Sequence, residues 1–434
     1  MLETLNESFW LRPTLIVLAA IALAELLIGV ERAEQVPLKA LSDWLYEGGE
    51  TGARTLLGAI AGSTIGVVGT LFSITIATLT LASNQLGPRL LRNFTSDRSN
   101  QATLGVFLGT FCYALMVLRT VRGAQEAGFV PHLAITGGLA LALLCVGMLI
   151  HFVHHVATLI NSETVIQLVF EDLRQTLLKW TTLDPQWDPP PPETWADGVT
   201  FGDERYGFIQ QLDEESIAAW AEEQGAAIRL QARPGDFVFP GAPLGVVVPA
   251  RADPTEILRS AMALGAQPTA SMDIEFTVRQ LVDIAVRALS PGINDPNTAI
   301  RVVDRLGAAL CLLVTRRMLT GVTARQGRVV LQRDATTYDG MTDAMFHMIR
   351  QNAAASPAVL IRMLEVLTVV AQCERCEDRL ATLERHAALV LADALRAVPN
   401  EQDRKTVQGR AERFGSVVAS RRLAVRTPNR AVSS

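Results

Sequence analysis

The sequence predicts an α-helical polytopic membrane protein with four transmembrane helices and a C-terminal cytosolic α+β region, a small β-rich module followed by a helical domain. Three observations predict it. Hydrophobic residues make up 49% of the 434 and charged residues only 19%, with a mean hydropathy of +0.25, too apolar for a disordered chain and high for an ordinary soluble one. The charges are unevenly spread: Thr55 to Pro88, Ser99 to Leu118 and Ala127 to Ser162 contain no Asp, Glu, Lys or Arg. After the last of these gaps the pattern changes to short apolar runs punctuated by Pro-Gly pairs, and then to apolar residues at three- and four-residue spacing.

A helix needs about 20 apolar residues to cross the hydrocarbon. Each charge-free gap holds one such crossing, and Leu11 to Val30, interrupted only by Arg12 and Glu25, holds another. The crossings fall near residues 11–30, 56–82, 101–118 and 133–155, within a transmembrane domain of residues 1–160. Glu3 and Glu7 stand where a cleavable signal peptide carries positive charge, so the first crossing is expected to remain in the mature protein. Four crossings place both termini on one side. With the termini inside, Arg12, Arg89, Arg92, Arg98, Arg174 and Lys179 are cytoplasmic, against Arg32, Lys39, Arg54, Arg119 and Arg122 outside, a near tie. Cys112, Cys145, Cys311, Cys373 and Cys376 are too few and too scattered for a disulfide framework, which favours a cytoplasmic C-terminal part.

Residues 161–200 read as an amphipathic helix to about Trp180 and then a Pro-rich linker, because Pro189 to Pro192 favour extended geometry and stop a helix. Residues 201–250 read as the β-rich module. Asp213 is the expected N-cap and Gly225 the end of a helix containing Ile217 and Trp220. Ile228 to Gln231, Phe237 to Phe239 and Leu244 to Val248 are its expected strands, with Pro234-Gly235 and Pro240-Gly241 placed as a type II turn requires. Residues 251–400 read as a helical domain and 401–434 as a frayed tail.

The second crossing carries the strongest functional signal. At 100° per residue, Gly58, Gly62, Gly66, Gly69, Thr70, Ser73, Ala77, Thr80 and Asn84 share one third of the helix circumference. Small and hydroxyl residues let helices approach closely, so packing is the plain reading. The functional reading is that Gly66, Thr70, Ser73, Ala77, Thr80 and Asn84 line a water-filled path in an oligomer. Gly87-Pro88 then breaks the helix, and Arg89 and Arg92 suit either lipid headgroups or a pore mouth.

Other ionisable residues have bland and functional readings side by side. Glu25, acidic within an apolar run, is a structural ion-pair partner for Arg54, Arg119 or Arg122, or a proton or cation site. His151, His154 and His155 at the end of the fourth crossing suit interfacial packing, proton and pH sensing, or a metal, though no acidic or cysteine partner stands near them in sequence. Cys373-Glu374-Arg375-Cys376 is a lone C-x-x-C and reads as structural. Arg279, Asp283 and Arg287 are spaced for a ladder on one helix face. Asn294 and Asp295 follow in a cytosolic joint that is either a capped helix-loop-helix or a ligand site. The common hydrolase and nucleotide motifs are missing, so no catalytic residue, no metal and no cofactor is expected and the chain reads as a non-enzyme. A net charge of -5, from 39 basic and 44 acidic residues, argues against nucleic acid as a partner.

Four segments, Leu81-Ala82-Ser83-Asn84-Gln85 through Pro88-Arg89-Leu90-Leu91-Arg92-Asn93-Phe94, Leu104-Gly105-Val106-Phe107-Leu108-Gly109-Thr110-Phe111-Cys112-Tyr113, His154-His155, and Arg287-Ala288-Leu289-Ser290-Pro291-Gly292-Ile293-Asn294-Asp295-Pro296, resemble the bacterial family of predicted membrane proteins called domain of unknown function twenty-two fifty-four. The resemblance spans nearly the whole chain. It implies a bacterial inner-membrane protein with an N-terminal membrane part and a cytosolic C-terminal part, and it implies no activity. From the residues, the expected function is an oligomeric ion channel or ion transporter, a homo-oligomer in the lipid bilayer with an inorganic ion as permeant and the cytosolic domain as assembly platform or gate. The alternative is a membrane-anchored sensor or scaffold whose cytosolic domain binds a partner or ligand.

Overall fold

The computed structural model describes residues 10–33, 46, 48–86, 97–122, 129–159, 162–266 and 274–426, with the backbone alone for 78–79, 81–86, 157–159, 162 and 424–426. The chain divides into two compact units, Met1–Thr164 and Val165–Ser434.

The first unit contains α1 (Leu11–Arg32), α2 (Glu50–Leu86), α3 (Arg98–Thr120) and α4 (His132–Leu159). All four are long and apolar enough to cross a membrane, and they coincide with the four expected crossings. Helix α2 has 37 residues, about 55 Å at 1.5 Å per residue, so it outruns a hydrocarbon core of about 30 Å. Helix α3 packs against each of the other three, and 56% of its apolar span is buried, compared with 17% for α1 and 22% for α2 and α4.

Glycines and one phenol set that packing. A Cβ on Gly105 would meet Ile16 Cδ1 at 2.7 Å and Pro13 Cα at 3.1 Å, and one on Gly109 would meet Ala20 Cβ at 3.2 Å. The close small-x-x-x-small contact of this unit therefore lies between α3 and α1. Tyr113 is fully buried, its hydroxyl donating to the Ala134 carbonyl on α4 at 2.7 Å. The carboxylate of Glu31 accepts from the backbone amides of His132 at 2.7 Å and Leu133 at 3.1 Å, capping the positive end of α4. Leu15, Leu18, Phe72, Ile76, Leu143, Ile150 and Val153 point outward, the apolar exterior a bilayer requires.

The second unit takes in most of α5 (Ser162–Lys179), whose buried Val165, Val169, Leu173 and Leu177 form one face. β1 (Thr181–Thr182) follows, then β2 (Val199–Gly202), β3 (Gly207–Leu212), α6 (Glu214–Glu223), β4 (Ala227–Leu230), β5 (Phe237–Val238), β6 (Pro243–Val248), α7 (Thr255–Ala261) and β7 (Met262–Gly265). Next come α8 (Ile274–Ala288), α9 (Pro296–Leu313), β8 (Arg317–Met318), β9 (Val322–Arg325), β10 (Arg328–Arg333), α10 (Tyr338–Asn352), α11 (Pro357–Cys373), α12 (Glu377–Ala397) and α13 (Glu401–Arg426). A five-stranded sheet has the order β2-β6-β4-β10-β9, antiparallel except for β4 and β10, where Ile228 faces Leu331 in parallel. A three-stranded antiparallel sheet has the order β5-β3-β7. Ile209, Ile217, Ala221, Ile228, Val247, Met262 and Leu331 are among its shared core. Asp213 caps α6 by accepting from the Ser216 amide at 3.1 Å, and Gly235 and Gly241 take φ of +97° and +71° in the two Pro-Gly turns.

Three boundaries differ from the expected ones. The β-rich module does not end at residue 250, because β7, β9 and β10 come from the stretch read as helical. The signal for β9 and β10 is a hairpin whose two loop residues, Gln326 and Gly327, both have positive φ (+49° and +78°). The Pro-rich segment is not a free linker, since a 3-10 turn at Pro192–Trp195 buries Trp195 and the Trp187 carbonyl accepts from the Thr320 hydroxyl at 2.9 Å. The tail is not frayed through residue 426. Asn400 caps α13 through the amides of Gln402 and Asp403, and Val407, Phe414 and Val418 are buried where α13 packs on α11 and α12. A high charge content hides these three apolar positions in the sequence.

Gly105→Leu should destabilise the membrane unit by about 1–3 kcal/mol through overpacking. Gly147→Leu, where an added Cβ meets nothing within 4 Å, should not. Thermal unfolding of the full chain in detergent measures both, and equal midpoints would refute the α1–α3 contact.

Candidate functional site

Helix α2 presents two opposite faces. Ala53, Leu57, Ile60, Ala61, Thr64 and Leu71 are buried in the membrane unit. About 180° around the helix, Gly58, Gly62, Gly66, Gly69, Thr70, Ser73, Ala77 and Thr80 are all exposed. A Cβ built on Gly58, Gly62, Gly66 or Gly69 meets nothing within 4 Å, so the other described helices of the membrane unit leave these glycines uncovered. The glycines of α2 are thus not the packing glycines of the four-helix unit. The hydroxyls of Thr70, Ser73 and Thr80 donate to the carbonyls of Gly66 (3.4 Å), Gly69 (3.0 Å) and Ile76 (2.9 Å). Their donors are satisfied inside the helix, and their oxygens keep acceptor capacity. The side chain of Asn84, and Arg89 and Arg92 altogether, lie outside the described residues.

Glu25 on α1 pairs with Arg119 on α3, Oε1 to Nη2 at 3.0 Å, while Arg54 turns to Glu50 and to the Val121 carbonyl. The acid is therefore an ion-pair partner between two helices, with both side chains half-exposed or more (52% and 67%).

At the other end of the unit the histidines meet partners far away in sequence. His155 Nε2 lies 2.5 Å from Asp97 Oδ2, and His151 Nε2 lies 2.7 Å from Ser99 Oγ. The two imidazoles stack at 5.8 Å, and His154 is exposed. Asp97 is also the N-cap of α3, its Oδ1 accepting from the Ser99 amide at 2.8 Å. Sequence reasoning found no acidic neighbour for these histidines because 58 residues separate Asp97 from His155. The visible signal is the Asp97-Arg98-Ser99 cap itself.

In the second unit, the joint between α8 and α9 is a capped helix-loop-helix. Asn294 takes φ +50°, Asp295 donates its amide to the Ala288 carbonyl at 2.7 Å, and both Asp295 oxygens are engaged by the Thr298 amide (3.1 Å) and hydroxyl (2.6 Å). The Thr298 hydroxyl holds the Asp295 carboxyl below its ordinary pKa. Arg279 pairs with Glu275 at 3.1 Å, and Asp283 and Arg287 occupy half-buried positions on the same helix. Cap chemistry uses the polar atoms that a ligand at Asp295 would need. Among the described residues, the one group of His, Cys, Asp or Glu side chains converging at metal-ligand distance is Asp343, His347 and His386, which the sequence reading did not single out.

Family comparison agrees with the membrane architecture. Residues 6–369 match the family described as predicted membrane protein (DUF2254). Uncharacterized proteins of Mycobacterium tuberculosis (strains CDC 1551 / Oshkosh and H37Rv) and of Mycobacterium bovis (strain ATCC BAA-935 / AF2122/97) are each 32% identical to the chain, over 96% of its length and 82% of theirs. No solved structure matches. The chain belongs to the DUF2254 family of predicted membrane proteins.

Asp97→Ala should destabilise the membrane unit by about 1 kcal/mol from the lost cap alone, and more with the His155 contact, read as a lower thermal midpoint in detergent. Asp97→Asn keeps the cap and should recover part of that loss. An Asp97→Ala midpoint equal to wild type would sink the dual role.

Proposed function

We propose that this DUF2254 membrane protein is an oligomeric ion channel or ion transporter of the bacterial inner membrane, with α2 lining the path where subunits meet. One observation carries the reading: the small and hydroxyl face of α2 is uncovered by the other described helices of the membrane unit. A face of glycines and hydroxyls is suited to close helix contact and is more polar than a lipid-facing surface needs to be. In a ring of subunits the glycines permit close approach, and the Thr70, Ser73 and Thr80 oxygens accept from water or coordinate a cation. The second unit serves as assembly platform or gate, and the role is not enzymatic.

The proposed orientation puts the second unit in the cytoplasm. Five free thiols, two of them exposed at Cys373 and Cys376, suit a reducing compartment. A phosphatase fusion after Lys179 should be inactive and a cytoplasmic reporter at the same point active, with the reverse result overturning the orientation.

The second reading is a membrane-anchored sensor or scaffold, favoured by the separate hydrophobic core of the second unit. Under that reading, a fragment for binding studies must start near Val165, because starting at Phe201 discards β1 and the buried Trp195.

Gly66→Leu and Ser73→Leu should abolish ion flux into proteoliposomes while expression and detergent elution stay unchanged. Unchanged flux in both variants refutes the path, and absence of flux in the intact wild-type oligomer transfers support to the scaffold.

A further inference from the structure

Helices α10 and α12 bring three ligand-type side chains to one point. Asp343 and His347 stand four residues apart on one face of α10, and His386 faces them from α12. His347 Nε2 lies 2.9 Å and His386 Nε2 lies 3.0 Å from the same oxygen, Asp343 Oδ1, and the three ligand atoms all fall within 4.8 Å of one another. Two ligands held at about 2.1 Å around one ion stand roughly 3.0–3.4 Å apart, close to the separations of both histidine nitrogens from Asp343 Oδ1.

Hydrogen bonding alone leaves this cluster unsatisfied. His386 is fully buried, and neither of its ring nitrogens makes a hydrogen bond, although Nε2 is within reach of a carboxylate. A buried nitrogen that close to an anion but not aligned to donate to it is costly unless a third body sits between them.

An outer set of groups steadies the arrangement. Arg385 donates to Asp343 Oδ1 at 2.6 Å and to Asp339 Oδ1 at 2.8 Å, and the Thr382 hydroxyl donates to Asp339 at 2.9 Å. Two carboxylates and one guanidinium leave a net negative charge for a dication to offset, and hydrogen-bonded carboxylate ligands are the usual supporting shell. Phe346 packs beside His386 at 5.7 Å between ring centres, closing the inner side, while Asp343 and His347 remain 33% and 32% exposed, which opens the cluster to solvent.

We propose that Asp343, His347 and His386 bind one divalent transition-metal ion of the zinc type, clamping α10 to α12 with at least one coordination position left open. Two imidazoles and one carboxylate are a donor set for zinc, and for iron or manganese where those are more available. The site is independent of whether α2 lines a path.

The test uses the untagged full-length chain in detergent, stripped with chelator and then given Zn2+ alone or Co2+ alone. The expected result is about one ion per chain by elemental analysis, a d–d absorption band on Co2+ loading, and a higher thermal midpoint with Zn2+. His347→Ala and Asp343→Asn, at partly exposed positions, should each weaken Zn2+ affinity at least tenfold and remove the thermal shift while eluting as wild type does. His386→Gln should abolish binding. If that buried variant aggregates, the two partly exposed ones decide. Failure of the wild type to take up stoichiometric Zn2+ at micromolar concentration overturns the proposal. Uptake that either partly exposed variant retains at full affinity also overturns it, and marks the cluster as a buried polar contact with Arg385.

Discussion

Inside a bilayer no hydrophobic force draws helices together, since lipid tails are as apolar as leucine. Contact has to come from shape and from internally satisfied polar groups, and α3 supplies both. Gly105 and Gly109 let α1 approach it closely, and the Tyr113 hydroxyl finds the Ala134 carbonyl on α4. With α3 in the middle, each surrounding helix spends one face on it and turns the other outward. For α1 and α4 that outward face is largely leucine, isoleucine and valine, as a lipid contact should be. On α2 exposed Ile65, Phe72 and Ile76 share the outward side with a stripe of glycine, serine and threonine, and that stripe singles α2 out among the four.

The second unit follows ordinary aqueous rules, with a mixed sheet, helix caps and abundant arginine pairs. Its ion pairs cluster where helices meet: Arg422 bridges α13 to Glu377 and Glu384 of α12, and Arg362 joins α11 to Asp304 of α9. Against that background Asp343, His347 and His386 differ, because two imidazole nitrogens approach one carboxylate oxygen and the buried His386 ring makes no hydrogen bond through either nitrogen. The capped joint at Asp295, which stands out in sequence, has its polar atoms already engaged and holds the turn between α8 and α9.

Much of the architecture was legible from charge gaps and turn chemistry. The four membrane helices lie where apolar runs of sufficient length predict them, and β4, β5 and β6 lie close to the strands flanked by Pro-Gly turns. Two kinds of feature were not legible. Long-range pairings such as Asp97 with His155, Glu25 with Arg119 specifically, and His347 with His386 depend on which helices pack together, and spacing within one helix is silent about that. Mixed-character segments were the second kind. In β9 and β10 the arginines at 325, 328 and 333 masked the alternation, and in α13 three buried residues among many charges looked like a tail. The stripe on α2 was legible as a pattern, while its outward orientation depended on finding that the glycines of α3 perform the packing.

The parallel pairing of β4 with β10 bears on the order in which the chain can be assembled. Strands β2, β6 and β4 are complete once the ribosome has passed Val248, yet the open side of β4 is closed only by Arg328–Arg333, after α8 and α9 have been made. During that interval a nascent chain already threaded into the membrane carries an unpaired sheet edge, and neighbouring copies on a polysome are held close by the same membrane. An unpaired edge is a template for pairing with another chain. The short β4 strand limits how much of that edge is available, and the helices translated in between supply the spacing that brings β10 back to its own chain.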